Sequence, residues 1–465
     1  MSDLARIFKA YDVRGTVPDQ FNESDAWAIG SAFARFSGAK RVLVARDMRE
    51  SGVALSAAFA LGAASEGAAV TDLGLASTDL LYFASGRLDS PAAMFTASHN
   101  PAQYNGIKMC LAGAKPIGED TGLADILRMA QESQGPAGAE PSSMHQSSTH
   151  QDAAGLPATF ERLDMLGEFA DHVRSFVDRS RLRPLRVVAD TANGMGGLVV
   201  PAVFEGLPFE LEILYGDLDG TFPNHPADPL QIENQADLVE RVLSSGADIG
   251  LAFDGDADRV FLVDEKGVPL SGSLTTAMVA AAMLEKHPGA KIIYNLICSK
   301  AVPEVITERG GIPVRTRVGH SFIKTVMADT GAVFGGEHSG HYYFADNYRA
   351  DSGLIAALVV LEMLSVSDQP LSAMRGPFER YSASGEINTE VKDAAGVIAT
   401  VEAHYASQGA TLDHTDGLTV DLGSWWFNLR PSNTEPLLRL NLEADDEAEC
   451  RKRVAEVLEL VRPGG

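Results

Sequence analysis

Short apolar runs alternate with longer Ala-rich stretches of helical period through the first three quarters of the chain, and that alternation commits the fold to α/β layers. Residues 41–45 (RVLVA), 92–96 (AAMFT), 185–190 (LRVVAD), 248–253 (DIGLAF), 291–295 (KIIYN) and 332–335 (AVFG) read as buried strands. Helical stretches fall between them at 25–36, 51–66, 235–244 and 272–285. Aromatic residues are scarce, at 7%, while Ala and Gly are plentiful, which suits closely packed helix-on-sheet layers. The last part reads differently: a strand at 425–430, a polar loop, an alternating strand at 437–442 and a helix over 446–461 predict a small α+β unit.

A chain of 465 residues is far longer than the size at which one core stops growing, so several domains of roughly 100–150 residues are expected. Residues 131–157 are rich in Ser, Gly, Pro and His without an apolar period and read as a linker or long loop, its histidines solvated. A strand gives way to a polar turn near 265–272, and a long helix is expected to end near 375–376. These breaks predict domains at 1–155, 156–267, 268–376 and 377–465, the first three similar enough in length to suggest an ancient repeat.

Composition removes several functions. A formal net charge of -25 leaves no basic face for nucleic acid or for an anionic membrane, so neither partner is expected. A small anion stays open, because it needs only a few local arginines, backbone N–H groups or a metal. Cys110, Cys298 and Cys450 are scattered without a CxxC pair, which suggests neither a disulfide framework nor a zinc site and fits a reducing cytoplasm. The start, MSDLARIFKA, has acidic Asp3 and no apolar core, so no secretory signal is expected. The most apolar stretch, 354–364, is interrupted by Glu362 and is shorter than the roughly 20 residues of a spanning helix, so it reads as a buried core helix.

Five segments carry candidate chemistry. Asp254, Asp256 and Asp258 alternate in a short turn after a near-continuous apolar strand, where three carboxylates can converge on a hard cation such as Mg²⁺. An EF-hand loop and an inert acidic turn are the alternatives; Arg259 at the sixth position, where the EF-hand requires Gly, counts against the first. In Thr96-Ala-Ser98-His99-Asn100-Pro101, Ser98 sits at the carboxyl end of an expected parallel strand, where open α/β sheets place their sites. His99 and Lys108 could move a proton or neutralise phosphate charge, and the alternative is a turn cap before Pro101. In Gly335-Gly-Glu337-His338-Ser339-Gly-His341, Glu337 and Ser339 suit sugar hydroxyls, against a tight glycine turn. His338 and His341 have no third zinc ligand nearby in sequence. Arg430, Ser432, Asn433 and Thr434 share a loop that could cradle phosphate or simply close a hairpin. Finally, the segment holding Tyr11 and Arg14 precedes the first helix, and Arg14 could add positive charge to an anion site or lie on the surface.

TASHNP, DGDADR, GEHSGH and RPSNTEP, in this order over nearly the whole chain, resemble the α-D-phosphohexomutase family, in its bacterial phosphomannomutase/phosphoglucomutase branch. The resemblance implies four domains around a central cleft, three related α/β units and a small C-terminal α+β domain resembling the TATA-binding-protein fold. It implies a phosphoserine at Ser98, with Ser98, Asp254, Asp256 and Asp258 as Mg²⁺ ligands, and His99, Lys108, Arg259 and Arg14 around the transferring group. Tyr11, His320, Glu337, Ser339 and His341 would contact the sugar, and Arg430, Ser432, Asn433 and Thr434 the phosphate that is not reacting. The implied reaction interconverts hexose 6- and 1-phosphates, of mannose first and of glucose as well, through a hexose 1,6-bisphosphate that also serves as activator; the alternatives are a phosphoglucosamine mutase and a non-catalytic sugar-phosphate binding protein, the latter opposed by intact Ser98 and all three aspartates. Phosphoglucosamine mutases of the family usually show DGDGDR and GEQSGH; Ala257 and His338 favour the mannose/glucose branch.

Overall fold

The computed structural model describes residues 4–133, 160–431 and 437–462. Most of the expected linker therefore lies outside the described residues, as do Ser432, Asn433 and Thr434; residues 131–133 complete the helix Leu123–Ser133. The chain forms two compact units, residues 1–270 with 339–372, and residues 271–338 with 373–465.

The first unit holds two sheets. In one, Arg41–Arg46 is flanked in parallel by Ala69–Leu75 and Ala92–Phe95, and the sheet continues antiparallel through Tyr104–Leu111 to Val13–Thr16. Helices Glu23–Ser37 and Ser51–Ser65 pack together over a core containing Phe33, Phe59 and Phe95. The first of them starts at Asn22, whose side chain accepts from the amide of Asp25 while Asp25 answers back to the Asn22 amide. In the second sheet Arg186–Asp190 lies parallel to Glu210–Leu214 and to Ile249–Phe253, and Val260–Asp264 adds antiparallel to the last. Both chemistry-bearing turns thus follow the carboxyl ends of parallel strands, Phe95 and Phe253.

Helix Gly353–Val366 completes this unit and is buried at every position but Met363 and Val366, as its all-round apolar character requires. It ends at Val366 instead of near 375: Pro370 lacks an amide proton and disfavours helical geometry at Gln369, so a separate short helix, Leu371–Met374, follows.

In the second unit, Lys291–Asn295 is paired in parallel with Ile312–Thr316 and Phe334–Gly336, beside helices Gly272–Lys286, Ala301–Glu308 and His320–Thr330. Its C-terminal part is an antiparallel sheet ordered Ser382–Glu390, Leu437–Ala444, Trp425–Pro431, Leu418–Asp421, Thr411–Asp413. Helices Ala394–Ala406 and Glu447–Val461 share its core with Tyr405, Trp425 and Phe427. Among the described residues no single helix is long and apolar enough to cross a membrane.

Candidate active site

Ser98 follows the strand Ala92–Phe95 with φ at 50°, a left-handed conformation that a serine adopts only when its surroundings hold it there. Its Oγ donates to Asp254 Oδ2 at 2.8 Å, and its amide donates to Thr96 Oγ1 at 2.9 Å. Asp254 begins the turn after Ile249–Phe253, and the next residue must be glycine: a Cβ on Gly255 would stand 2.4 Å from the Ser98 carbonyl oxygen. The two turns therefore touch backbone to backbone.

Asp254, Asp256 and Asp258 are at most 1% exposed, and each offers a carboxylate oxygen within 4.8 Å of the others. Arg259 Nε donates to Asp254 Oδ2 at 2.9 Å, and Lys108 Nζ donates to Asp256 Oδ2 and Asp258 Oδ2 at 2.7 Å each. Thr78 Oγ1 adds a bond of 2.5 Å to Asp256 Oδ2. The remaining oxygens, Oδ1 of Asp256 and of Asp258, are buried without a hydrogen-bond partner. Orphaned carboxylate oxygens inside a protein are costly, and a hard divalent cation is the group that suits them.

The charges in this cluster reshape one another. Burial, with repulsion from Asp256 and Asp258, pushes Asp254 well above the usual carboxylate range, Arg259 opposing. Burial alone would also raise Asp256, but Lys108 holds it far below. Burial likewise works against the charge on Lys108, and Asp256 and Asp258 outweigh it, so the ammonium stays protonated. His99 is pushed well below its ordinary value by burial and then by Arg259 and Arg14. Its Nδ1 lies 2.6 Å from Arg259 Nη2, which can only donate, so the neutral ring carries its proton on Nε2.

Arg14, on Val13–Thr16, donates to Asn100 Oδ1 at 2.6 Å and pairs with Asp12, so it lies against the serine turn. Tyr11 is half-buried in the loop just before that strand. The GEHSGH segment is divided between the two units after His338. In the first unit Ser339 Oγ is 3.0 Å from His341 Nδ1, and His341 Nε2 is 3.8 Å from Asp258 Oδ1. His341 gains two potential co-ligands in space, Asp258 from the remote acidic turn and Asp351 from the segment just downstream, which bridges back to Tyr343.

In the second unit Glu337 accepts from Asn295 Nδ2 at 3.0 Å and from the Gly319 amide at 3.1 Å, just ahead of helix His320–Thr330. His338 is bonded to Ser273 Oγ at 2.9 Å and lowered by burial. Arg430, on Trp425–Pro431, donates to Glu386 Oε2 at 3.0 Å. Thr78, Asp79 and Arg49 also face this cluster, through Asp256, Ser352 and the Ser98 carbonyl, and none belongs to one of the five segments. The available signal was positional, since Asp47-Met-Arg49 follows the parallel strand Arg41–Arg46 as TASHNP follows its own.

An α/β enzyme of several domains, with a serine seated on a buried carboxylate triplet, is the class that this fold and site define. Family models described as phosphoglucomutase/phosphomannomutase alpha/beta/alpha domains I, II and III match residues 5–134, 167–267 and 271–381, and the C-terminal domain model matches residues 386–460. The chain is 40% identical over 458 residues to "Phosphohexose mutases" of Xanthomonas campestris pv. campestris, covering 98% of this chain and 99% of that one. It is 39% identical over 462 residues to a phosphomannomutase of Salmonella montevideo, covering 98% of each. A crystal structure of a phosphoglucomutase/phosphomannomutase family protein from Burkholderia thailandensis shares the fold with a TM-score of 0.86 at 31% identity, over 100% of this chain and 99% of that one. The chain belongs to the phosphoglucomutase/phosphomannomutase family, and it is an isomerase.

Proposed function

We propose that this protein interconverts hexose 6-phosphate and hexose 1-phosphate, with mannose phosphates as the first substrate and glucose phosphates as the alternative, through phospho-Ser98. The observation that carries the reading is the 2.8 Å bond from Ser98 Oγ to a carboxylate of a buried acidic triplet. In the first half-reaction the phosphorus–oxygen bond to Ser98 breaks as one forms to a free sugar hydroxyl, whose proton leaves to a nearby base. A 1,6-bisphosphate results; it turns over, and in the second half-reaction the bond from its other phosphorus to the sugar oxygen breaks as one forms to Ser98 Oγ, the released sugar oxygen taking up a proton. Added hexose 1,6-bisphosphate serves as activator by loading Ser98.

Ser98, Asp254, Asp256 and Asp258 are the proposed holders of Mg²⁺, which when bound would supply charge neutralisation for the phosphoryl group. Arg259 Nη2, 3.4 Å from Ser98 Oγ, and Arg14 hold positive charge at the same place. His99, with Nδ1 at 3.3 Å from Ser98 Oγ, and Lys108 are the candidates for moving the proton. Tyr11, His320, Glu337, Ser339 and His341 are proposed sugar contacts, and Arg430, Ser432, Asn433 and Thr434 hold the second phosphate. The proposed domains are 1–155, 156–267, 268–376 and 377–465, and three free, buried cysteines support a reducing cytoplasm as the compartment.

A coupled assay comparing mannose, glucose and glucosamine 1-phosphates, with Mg²⁺ and a trace of glucose 1,6-bisphosphate, tests the reading. Isomer formation should exceed phosphate release, and Ser98→Ala should bind substrate but lose isomerisation by about a thousandfold or more. Phosphate release outpacing isomer would make the protein a hydrolase instead.

A further inference from the structure

Arg49 is 1% exposed, and all five of its side-chain N–H donors have acceptors. Nε donates to Asp47 Oδ2 at 3.1 Å. The other four donate to main-chain carbonyls of the serine turn: Nη2 to Ser98 at 2.9 Å and Asn100 at 2.6 Å, Nη1 to Pro101 at 2.9 Å and Tyr104 at 3.1 Å. A single planar fork thus fixes where the turn begins and where it ends. The left-handed φ of Ser98 is strained and persists only where other contacts impose it.

The guanidinium is covered from the other sheet's side. Phe222, itself left-handed at φ 53°, places its ring centroid 5.0 Å from Arg49 Cζ. The loop carrying Phe222 fits so closely that a Cβ on Gly220 would stand 2.7 Å from Arg49 Cα. That loop is pinned to the second sheet where Asp219 N donates to Asn193 O at 2.9 Å and Asn224 Nδ2 donates to Asn193 Oδ1 at 2.7 Å. The adjacent Gly194 packs on Gly255, in the turn that carries the aspartates: a Cβ there would meet the Gly255 carbonyl oxygen at 2.6 Å. The serine turn and the acidic turn are therefore referenced to one loop.

We propose that Arg49, capped by Phe222, is a positioning residue that holds the Ser98 backbone so that Oγ faces Asp254, and that this pair sets the rate of phosphoryl transfer without touching the sugar. The inference rests on the reading of Ser98 as phosphoryl carrier. Arg49→Lys cannot serve four carbonyls with one ammonium, so kcat should fall about a hundredfold, the loss typical of a misplaced reacting group. KM for mannose 1-phosphate should stay within about threefold, because no binding group is removed. Phe222→Leu should lower kcat by a smaller factor, about tenfold or less, again with KM held.

The full-length protein is loaded with glucose 1,6-bisphosphate and Ser98 phosphate is read by intact mass, alongside steady-state kinetics and thermal unfolding. If the unmodified protein takes no phosphate, or Ser98→Ala takes as much, the carrier reading itself fails. If Ser98 loads and both variants keep the original kcat, or lose kcat and KM together, the positioning role is overturned while the carrier reading stands. Should Arg49→Lys fail to fold, Phe222→Leu, at a half-buried position, decides alone.

Discussion

A cation already sits among the three aspartates: Lys108 occupies one oxygen of Asp256 and one of Asp258 and leaves the other oxygen of each without a hydrogen bond. Lys108→Met would strip the buried carboxylates of that partner, at a cost of about 3–5 kcal/mol. Mg²⁺ should then stabilise the variant more than the parent, since it would replace the lost charge as well as occupy its own ligands. Thermal unfolding in chelator and then in rising Mg²⁺ measures this, and an equal shift in both proteins would remove Lys108 from the metal balance. Asp79 offers a pH test nearby. Burial pushes its carboxyl up to about 7 from an ordinary 3.8, despite bonds from Ser77 and Ser352, and Asp258 adds repulsion. A raised acid keeps its proton in the folded state where the unfolded chain releases it. Its contribution is whole below about 4 and is lost as pH climbs towards about 7. Asp79→Asn should flatten the decline in unfolding free energy between about pH 4 and about pH 7, by an amount on the order of a few kcal/mol; a variant with the parent's slope would refute the assignment. The sequence disclosed Ser98 and the aspartates because each motif is contiguous. It hid Thr78 and Arg49, whose partners lie 178 and about 50 positions away in the chain.

Helices Glu23–Ser37 and Ser51–Ser65 cross where neither has a side chain. A Cβ on Gly30 would lie 2.1 Å from the Phe59 carbonyl oxygen, and one on Gly62 would lie 2.0 Å from that of Trp27. Alanine at either position gains about 1 kcal/mol of helix propensity. The clash is with backbone, which cannot swing aside, and overpacking of this kind costs about 1–3 kcal/mol or more. The clash should win, so Gly30→Ala and Gly62→Ala should each lower Tm, and the double variant should lose less than the sum because both relax one crossing. A rise in Tm for either would show that the helices part freely. The abundance of Ala and Gly foretold such packing without saying where. The apolar run Lys291–Asn295 is legible to the residue and the others to within a residue or two, because a buried parallel strand announces itself by continuous apolarity. Tyr104–Leu111 is not, since it carries Asn105 and Lys108 into the interior, and what makes them tolerable there, Ser51 and the aspartates, is remote in sequence.

At the scale of the whole molecule, 63 acidic residues face 38 basic ones, and the net charge of -25 must be borne by each folded state the chain adopts. Two effects of salt oppose each other. Screening relieves general repulsion, which destabilises compact states, and it also weakens local surface pairs such as Arg380 with Glu304 and Glu308 or Arg453 with Glu449 and Glu456. Exposed pairs of this kind contribute little, about 0–1 kcal/mol each, and because each pair is itself neutral the excess of 25 like charges lies outside them. Repulsion should therefore dominate. Raising NaCl from about 10 to 150 mM shrinks the screening length from about 30 Å to about 8 Å, so Tm of the first unfolding transition should rise by about 2–4 °C for each kcal/mol relieved. The gain should level off beyond that concentration, which separates screening from salting-out, whose effect keeps growing with salt. A Tm that falls over the same range would mean that the local pairs outweigh the excess charge.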